Sequence, residues 1–212
     1  MKVLNCVVAA AAVLGCSAVL AQQAEGNWMM RVRVVDIQPV KKSDAIGALS
    51  IPADAVYVDN KAIPEVDFSY FFSKNLAAEL ILTYPQKLDA MVKGVGKVGD
   101  LDALPPTLTL QYHFSPDTAF RPYVGAGINL TFFSKVSLPV VNALTHANAT
   151  IDNSSTGGAL QLGFDYKVAQ NSYINVDIKK VYMNTDLKVN GTKVSTLTVN
   201  PLLVGVGYGF KF

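Results

Sequence analysis

The residues of this chain that could do chemistry are mostly charged, and they fall on odd numbers. Arg31, Arg33, Glu65, Asp67, Glu79, Arg121, Asp165, Asp177, Lys179 and Lys211 alternate with apolar residues such as Val32, Val66, Phe68, Leu80, Leu108, Leu162, Val176 and Ile178. Charges of both signs on one face, with oil on the other, suit ion pairing inside an enclosed space. Catalysis has less support. The chain holds two histidines, His113 and His146, and they fall in different segments. A lipid-modifying hydrolase built on His113 with Ser115, or His146 with Ser137, is the enzyme alternative. No nucleophile elbow accompanies either pair and no zinc-ligand spacing appears, so no catalytic residue, metal or cofactor is expected.

A period of two is the mark of a strand with two different faces. It is cleanest at the end of the chain, where Val204, Val206, Tyr208, Phe210 and Phe212 point one way and Gly205, Gly207, Gly209 and Lys211 the other. One face is oily and the other is too small to fill a protein core, which suits the wall of a membrane barrel. Turn signals cut the chain into segments of this kind near 27–37, 63–72, 76–84, 107–114, 120–133, 159–168, 173–186 and 196–212. Most reach the ~9–11 residues that a tilted strand needs to cross a membrane. Lys180 breaks the parity, and either snorkelling or a bulge would accommodate it.

The connections alternate in length. Those near 73–75, 115–119 and 169–171 are short, whereas 38–62, 85–106 and 134–158 are long and a shorter one turns at Asn190-Gly191. Short turns on the periplasmic side and long loops outside are the pattern of outer-membrane barrels. The expected fold is therefore all-β: an eight-stranded antiparallel transmembrane barrel over residues 22–212. A soluble β-sandwich is the rival, and it has no reason to alternate its loops.

Residues 1–21 read as a secretory signal peptide, with a basic start at Lys2, an apolar run from Val7 to Leu20 and a small residue at Ala21. Acylation of Cys16 is a weaker reading of the same segment. Both cysteines, Cys6 and Cys16, lie in it. Taking Lys2 from the 18 basic residues leaves 17 against 16 acidic ones, a balance that gives no reason to expect nucleic acid as a partner. Half of the residues are hydrophobic, yet beyond the leader no apolar run approaches the ~20 residues of a membrane helix.

The chain resembles the OmpW family of small outer-membrane proteins. The resemblance is carried by Leu104-Pro105-Pro106-Thr107-Leu108, by Phe120-Arg121-Pro122-Tyr123-Val124-Gly125-Ala126-Gly127-Ile128-Asn129, by Gly163-Phe164-Asp165-Tyr166 and by the terminal Gly207-Tyr208-Gly209-Phe210-Lys211-Phe212. It implies a bacterial outer-membrane location and a role in moving small hydrophobic molecules inward. It also implies that Phe212, with Tyr208 and Phe210, belongs to a signal read by the outer-membrane insertion machinery. Val181 stands where the family would be expected to carry a bulkier lumenal residue.

Strand direction divides the lumen by height. Arg31, Arg33, Glu79, Arg121, Asp165 and Asp177 fall in its lower part and form an expected ionic plug. Val35, Ile37, Ile81, Val181 and Met183 fall above them and form an expected apolar funnel. The charges could also do no more than neutralise one another, because a small barrel is filled by its own side chains. A blocked lower end would send a ligand sideways through the wall. Pro39, Pro85 and Pro105 are candidate margins of such an opening, since proline cannot donate to a ladder, and equally they could only terminate strands. The expected partners are outer-membrane lipid and lipopolysaccharide, met by a rim of Lys41, Lys42, Lys93 and Lys97, and a small hydrophobic ligand. The other function class is a structural or receptor barrel that acts through loops 38–62 and 134–158 without transport.

Overall fold

A computed structural model describes residues 26–40, 42–46 and 51–212; the expected signal peptide and Lys41 lie outside these. The alternating segments form strands because their even side chains are apolar and their odd ones are small or polar. Eight strands close a ring, each antiparallel to its neighbours. They are β1 (Trp28–Gln38), β4 (Lys61–Phe71), β5 (Leu76–Leu82), β8 (Thr107–His113), β9 (Phe120–Ser137), β11 (Ser154–Ala169), β12 (Ser172–Val181) and β15 (Leu202–Lys211). The first and last strands pair from Met29 opposite Lys211 to Gln38 opposite Leu202, and β9 pairs with β11 to complete the circle. No ring edge remains to attract another strand.

Every large hydrophobic residue exposed on these strands has an even number, from Val34 on β1 to Val206 on β15. Aromatic side chains gather at the end with the short turns. Trp28 meets Tyr70 edge-on at 4.9 Å, Tyr70 meets Phe72 at 5.2 Å, and Tyr112 meets Phe114 at 5.1 Å. A belt of this kind marks a membrane–water interface. Lys180 donates to the carbonyl of Asn200 at 2.5 Å, and its pairing with Leu160 and Leu202 runs without a shift. It snorkels at the upper end of the wall, and no bulge is involved.

The expected long loops are themselves largely strand. β6 (Gln86–Val92) and β7 (Gly96–Leu104) form a hairpin, β3 (Val56–Val58) adds to β6, and β7 pairs with the upper end of β9. A second sheet stands beside this extension in the order β10 (Ala149–Ile151), β13 (Asn184–Val189), β14 (Thr192–Thr198), β2 (Lys42–Ser43). The helix α1 (Pro139–Thr145) precedes it. Between them lies a separate apolar core with Val56, Val92, Leu101, Phe133, Val141, Ile151 and Leu187. The expected strands 173–186 and 196–212 each divide accordingly: β12 stops at Val181 and β15 starts at Leu202, while β13 and β14 belong to the cap. Asn190 and Gly191 turn that hairpin with φ of 49° and 79°, the left-handed region that Asn and Gly tolerate.

Candidate lumenal site

The lower lumen is a buried polar network. Among the described residues its buried charges are three cations, Arg31, Arg33 and Lys179, and five carboxylates, Glu65, Asp67, Glu79, Asp165 and Asp177. From β1, Arg31 grips Asp165 of β11 with two hydrogen bonds of 3.0 and 2.7 Å, and reaches Asp67 at 3.0 Å and Ser69 at 2.7 Å on β4. One turn of the pleat higher, Arg33 donates to Glu65 at 2.9 Å, Glu79 at 3.0 Å and Asn175 at 2.6 Å, and pairs with Asp67 at 2.8 Å. Gln111 and Gln161 each donate to the other oxygen of Glu79 at 2.8 Å. Tyr123 and Gln161 share Asp177 at 2.9 and 2.7 Å. Desolvating so many charges is tolerable because each carboxylate lies against at least one buried cation, although Asp67 Oδ2 accepts no hydrogen bond among the described residues.

The small face of β15 now has a physical reason. A Cβ on Gly207 would run into the Val32 carbonyl oxygen and lie 2.8 Å from both Cα and Cγ of Arg33, so glycine is needed where β15 passes closest to β1 and the arginine stem. Gly163 plays the same part for Tyr123, whose hydroxyl would sit 2.5 Å from an added Cβ.

Above this network the same lumen turns apolar. Val35, Ile63, Ala159, Val181 and Leu203 pack as a cluster with Ile37 and Met183 against it. Ile37, Ile63, Val181, Met183 and Leu203 of this group border a cavity of about 60 Å³, which Ile81 also lines and whose polar lining includes Glu65 and Lys179. Val35, an expected contact, packs in the cluster and is not part of that lining. That volume is well under the ~300–1,000 Å³ of a drug-sized pocket, so a guest of that size needs the surrounding side chains or the wall to part. Phe133, by parity an upper-lumen residue, packs into the core of the cap instead.

The wall beside the cavity has a break in its hydrogen bonding. The β5–β8 ladder ends at Ile81 opposite Thr107, and the β6–β7 ladder begins at Gln86 opposite Ala103. Residues 82–85 therefore face residues 104–106 without ladder pairs between them. Each lip is held from its other side: Leu82 pairs with Val66, Thr83 Oγ1 donates to the Pro64 carbonyl at 3.0 Å, and the Leu130 amide donates to the Pro106 carbonyl at 3.0 Å. Pro85 is exposed on one lip, and Pro105, on the other, lines the cavity.

Not every expected residue falls into place. Arg121 lies at the periplasmic mouth, with its guanidinium 5.0 Å above the Tyr173 ring and Nη1 donating to the Tyr173 hydroxyl at 2.8 Å. Pro39 adjoins no break, because both ladders of β1 continue to Ile37 or Gln38; it is buried between the cavity and a smaller apolar one in the cap. Phe210 is covered, and stacks on Phe212 at 6.3 Å, while Tyr208 is half-buried. His113 is buried between Phe71 and Tyr123, 4.9 Å from each, with Nε2 at 3.0 Å from Gln111 Oε1. His146 caps α1 in a left-handed conformation, and Ser115 and Ser137 are exposed. Gln86, Gln111, Asn129, Gln161 and Asn175 were not singled out from the sequence. Their odd or displaced positions carry no charge, and neutral amides leave little trace in an alternating pattern.

Comparison with known proteins gives a consistent result. The profile of the OmpW family matches residues 24–212. An uncharacterized outer-membrane protein, y4mB, of Sinorhizobium fredii is 39% identical over 191 residues, covering 87% of this chain and 80% of its own. Outer membrane protein AlkL of Ectopseudomonas oleovorans is 27% identical, with 79% of this chain and 73% of that one covered. The crystal structure of OprG from Pseudomonas aeruginosa superposes with a TM-score of 0.75 at 27% identity, covering 90% of this chain and 98% of that one.

Proposed function

The chain belongs to the OmpW family and is an outer-membrane barrel, and from that premise we propose that it takes up small hydrophobic molecules passively. An apolar solute enters the upper lumen from the cap, contacts Ile81 and Val181, and meets the ion-pair network below. It then leaves sideways between residues 82–85 and 104–106 into the outer leaflet. Four extended residues span about 13 Å, which is room for a slender molecule once the lips part.

The observation that carries this reading is the direct stacking of cavity on network. Glu65 and Lys179 belong to both, so the oily space ends on a floor of paired charges. An apolar solute has no favourable way down through that floor, and the weakened wall lies at the cavity's own height. The test is uptake by vesicles holding the refolded protein, read with a hydrophobic fluorescent probe and a small polar one. Selective entry of the hydrophobic probe is expected, and replacing Ile81 and Val181 with Arg should abolish it while the barrel still folds. Entry of the polar probe would mean an aqueous pore. If neither probe entered, the reading as a receptor barrel acting through its cap would replace this one.

A further inference from the structure

Gln86 opens β6 at the upper edge of the wall break, is almost fully buried, and lines the apolar cavity. Its amide nitrogen donates to the Tyr84 carbonyl at 2.9 Å and to Thr83 Oγ1 at 3.3 Å. These bonds fix which way the amide lies, since a flipped group would set its oxygen against the Tyr84 carbonyl. The remaining atom, Oε1, is buried with no hydrogen-bond partner among the described residues.

The other polar groups of the cavity wall are answered. Thr83 Oγ1 donates to the Pro64 carbonyl, Thr107 Oγ1 to the Pro105 carbonyl at 3.2 Å, and Thr131 Oγ1 to Asn129 Oδ1 at 2.7 Å. Asn129 in turn donates to Thr107 Oγ1 at 2.8 Å, and Lys179 faces Glu65 at 3.4 Å on the floor. Among the described side chains that line the cavity, the one buried polar atom left open is therefore an acceptor. A molecule that fits there should be oily along most of its length and carry a donor where it reaches Gln86.

Resting on the uptake reading, we propose that Gln86 Oε1 is a selectivity point: the preferred substrates are hydrophobic molecules bearing a hydroxyl or N–H donor, over plain hydrocarbons and over ethers or esters. A ligand that can only accept would leave Oε1 unanswered and set a second lone pair against it. Buried polar atoms left unpaired are disfavoured enough for a difference of about tenfold in affinity.

A matched pair of probes separates these cases: 4-heptylphenol and its methyl ether, 4-heptylanisole. Both would be titrated against a bound hydrophobic fluorophore on the refolded full-length barrel in nanodiscs, with each corrected for its partition into the lipid. The phenol is expected to displace the fluorophore at about tenfold lower concentration than the ether. It should also shift the Gln86 side-chain amide resonances, which the ether should leave in place. Gln86→Leu is expected to bring the two competitors to equal strength. Equal displacement by phenol and ether in the native protein, with no amide shift, would mean that water answers Oε1, and would overturn the proposal while leaving hydrophobic uptake intact. A phenol preference that persisted in Gln86→Leu would overturn it too. Failure of the fluorophore itself to bind would remove the uptake reading and this inference together. The native comparison and the amide shift stand even if the leucine variant folds poorly.

Discussion

Arg31 and Asp165 face each other across the lumen, from the first strand to the sixth of the ring, as a two-pronged pair: Nε meets Oδ1 at 3.0 Å and Nη2 meets Oδ2 at 2.7 Å. Both side chains are fully buried. Removing one member leaves a charge with no water to receive it. Arg31→Met should destabilise the refolded barrel by about 3–5 kcal/mol, and Arg31→Met with Asp165→Leu should cost less than the two single changes added together. Urea midpoints in lipid vesicles measure this. A loss near zero for the single change would mean that water reaches the network.

The glycine face of β15 gives a steric prediction. Gly207→Val puts a branched side chain where Arg33 crosses, and the fraction of protein migrating as a compact, heat-modifiable band should fall sharply. Gly158→Ala is the control, because the nearest atoms to its added Cβ lie 3.9 Å away, at ordinary contact distance.

The wall break should respond to restored donors. Pro85→Val together with Pro105→Val supplies two backbone N–H groups that the lips now lack. If the lips then zip, hydrophobic uptake slows while thermal stability holds or rises. Unchanged uptake would move the exit elsewhere in the wall.

The cap should loosen in acid before the barrel does. Hydrogen bonds from Lys193 and then Thr196 hold the Asp186 carboxyl below its ordinary value, and the Lys97 ammonium does the same for Asp100. A carboxyl lowered by folding stabilises above its unfolded value and loses that contribution as pH falls through the folded one, so the window lies below about pH 4. Both groups are half-buried at the surface of the cap, and the effect is small and weakened by salt. Amide exchange in β13 and β14, corrected for the intrinsic pH dependence, should quicken at pH 3 relative to pH 6 by more than exchange in β12 or β15.

Deletion of Phe212 should slow assembly into the outer membrane. Its amide donates to the Trp28 carbonyl at 2.8 Å, and its carbonyl accepts from the Trp28 amide at 3.1 Å, so the loss also shortens the seam between the chain ends. Phe212→Ala keeps those backbone bonds and separates the two effects. A delay shared by deletion and alanine variants points to the side chain as the signal, whereas a delay confined to the deletion points to the seam.

Parity made the barrel legible, because lipid and lumen impose opposite demands on neighbouring residues. It read Lys180 as an offender for the same reason that its tip bends to the Asn200 carbonyl. It could not mark where the membrane ends. β9 keeps alternating past Leu130 into the cap, and nothing in Phe133 itself distinguishes a lumenal ring from one in a second core. The charged lumen was visible because Arg, Asp and Glu are costly to bury without a cause. The amides that complete it were not, and neither was the role of Pro64, which anchors a lip of the break through its carbonyl.

Both arginines of the buried lumenal network sit on β1, two residues apart, while their carboxylates come from β4, β5 and β11. The strand that closes the ring is therefore also its keystone. On its β4 side β1 already sets Arg31 against Asp67 and Arg33 against Glu65. Until it docks against β15, however, the bonds from Arg31 to Asp165 of β11 and from Arg33 to Asn175 of β12 cannot form, and Asp165 lacks its cation. Closing the seam and neutralising the interior become one event, which makes a half-zipped barrel costly and leaves few stable stopping points between an open sheet and a finished cylinder.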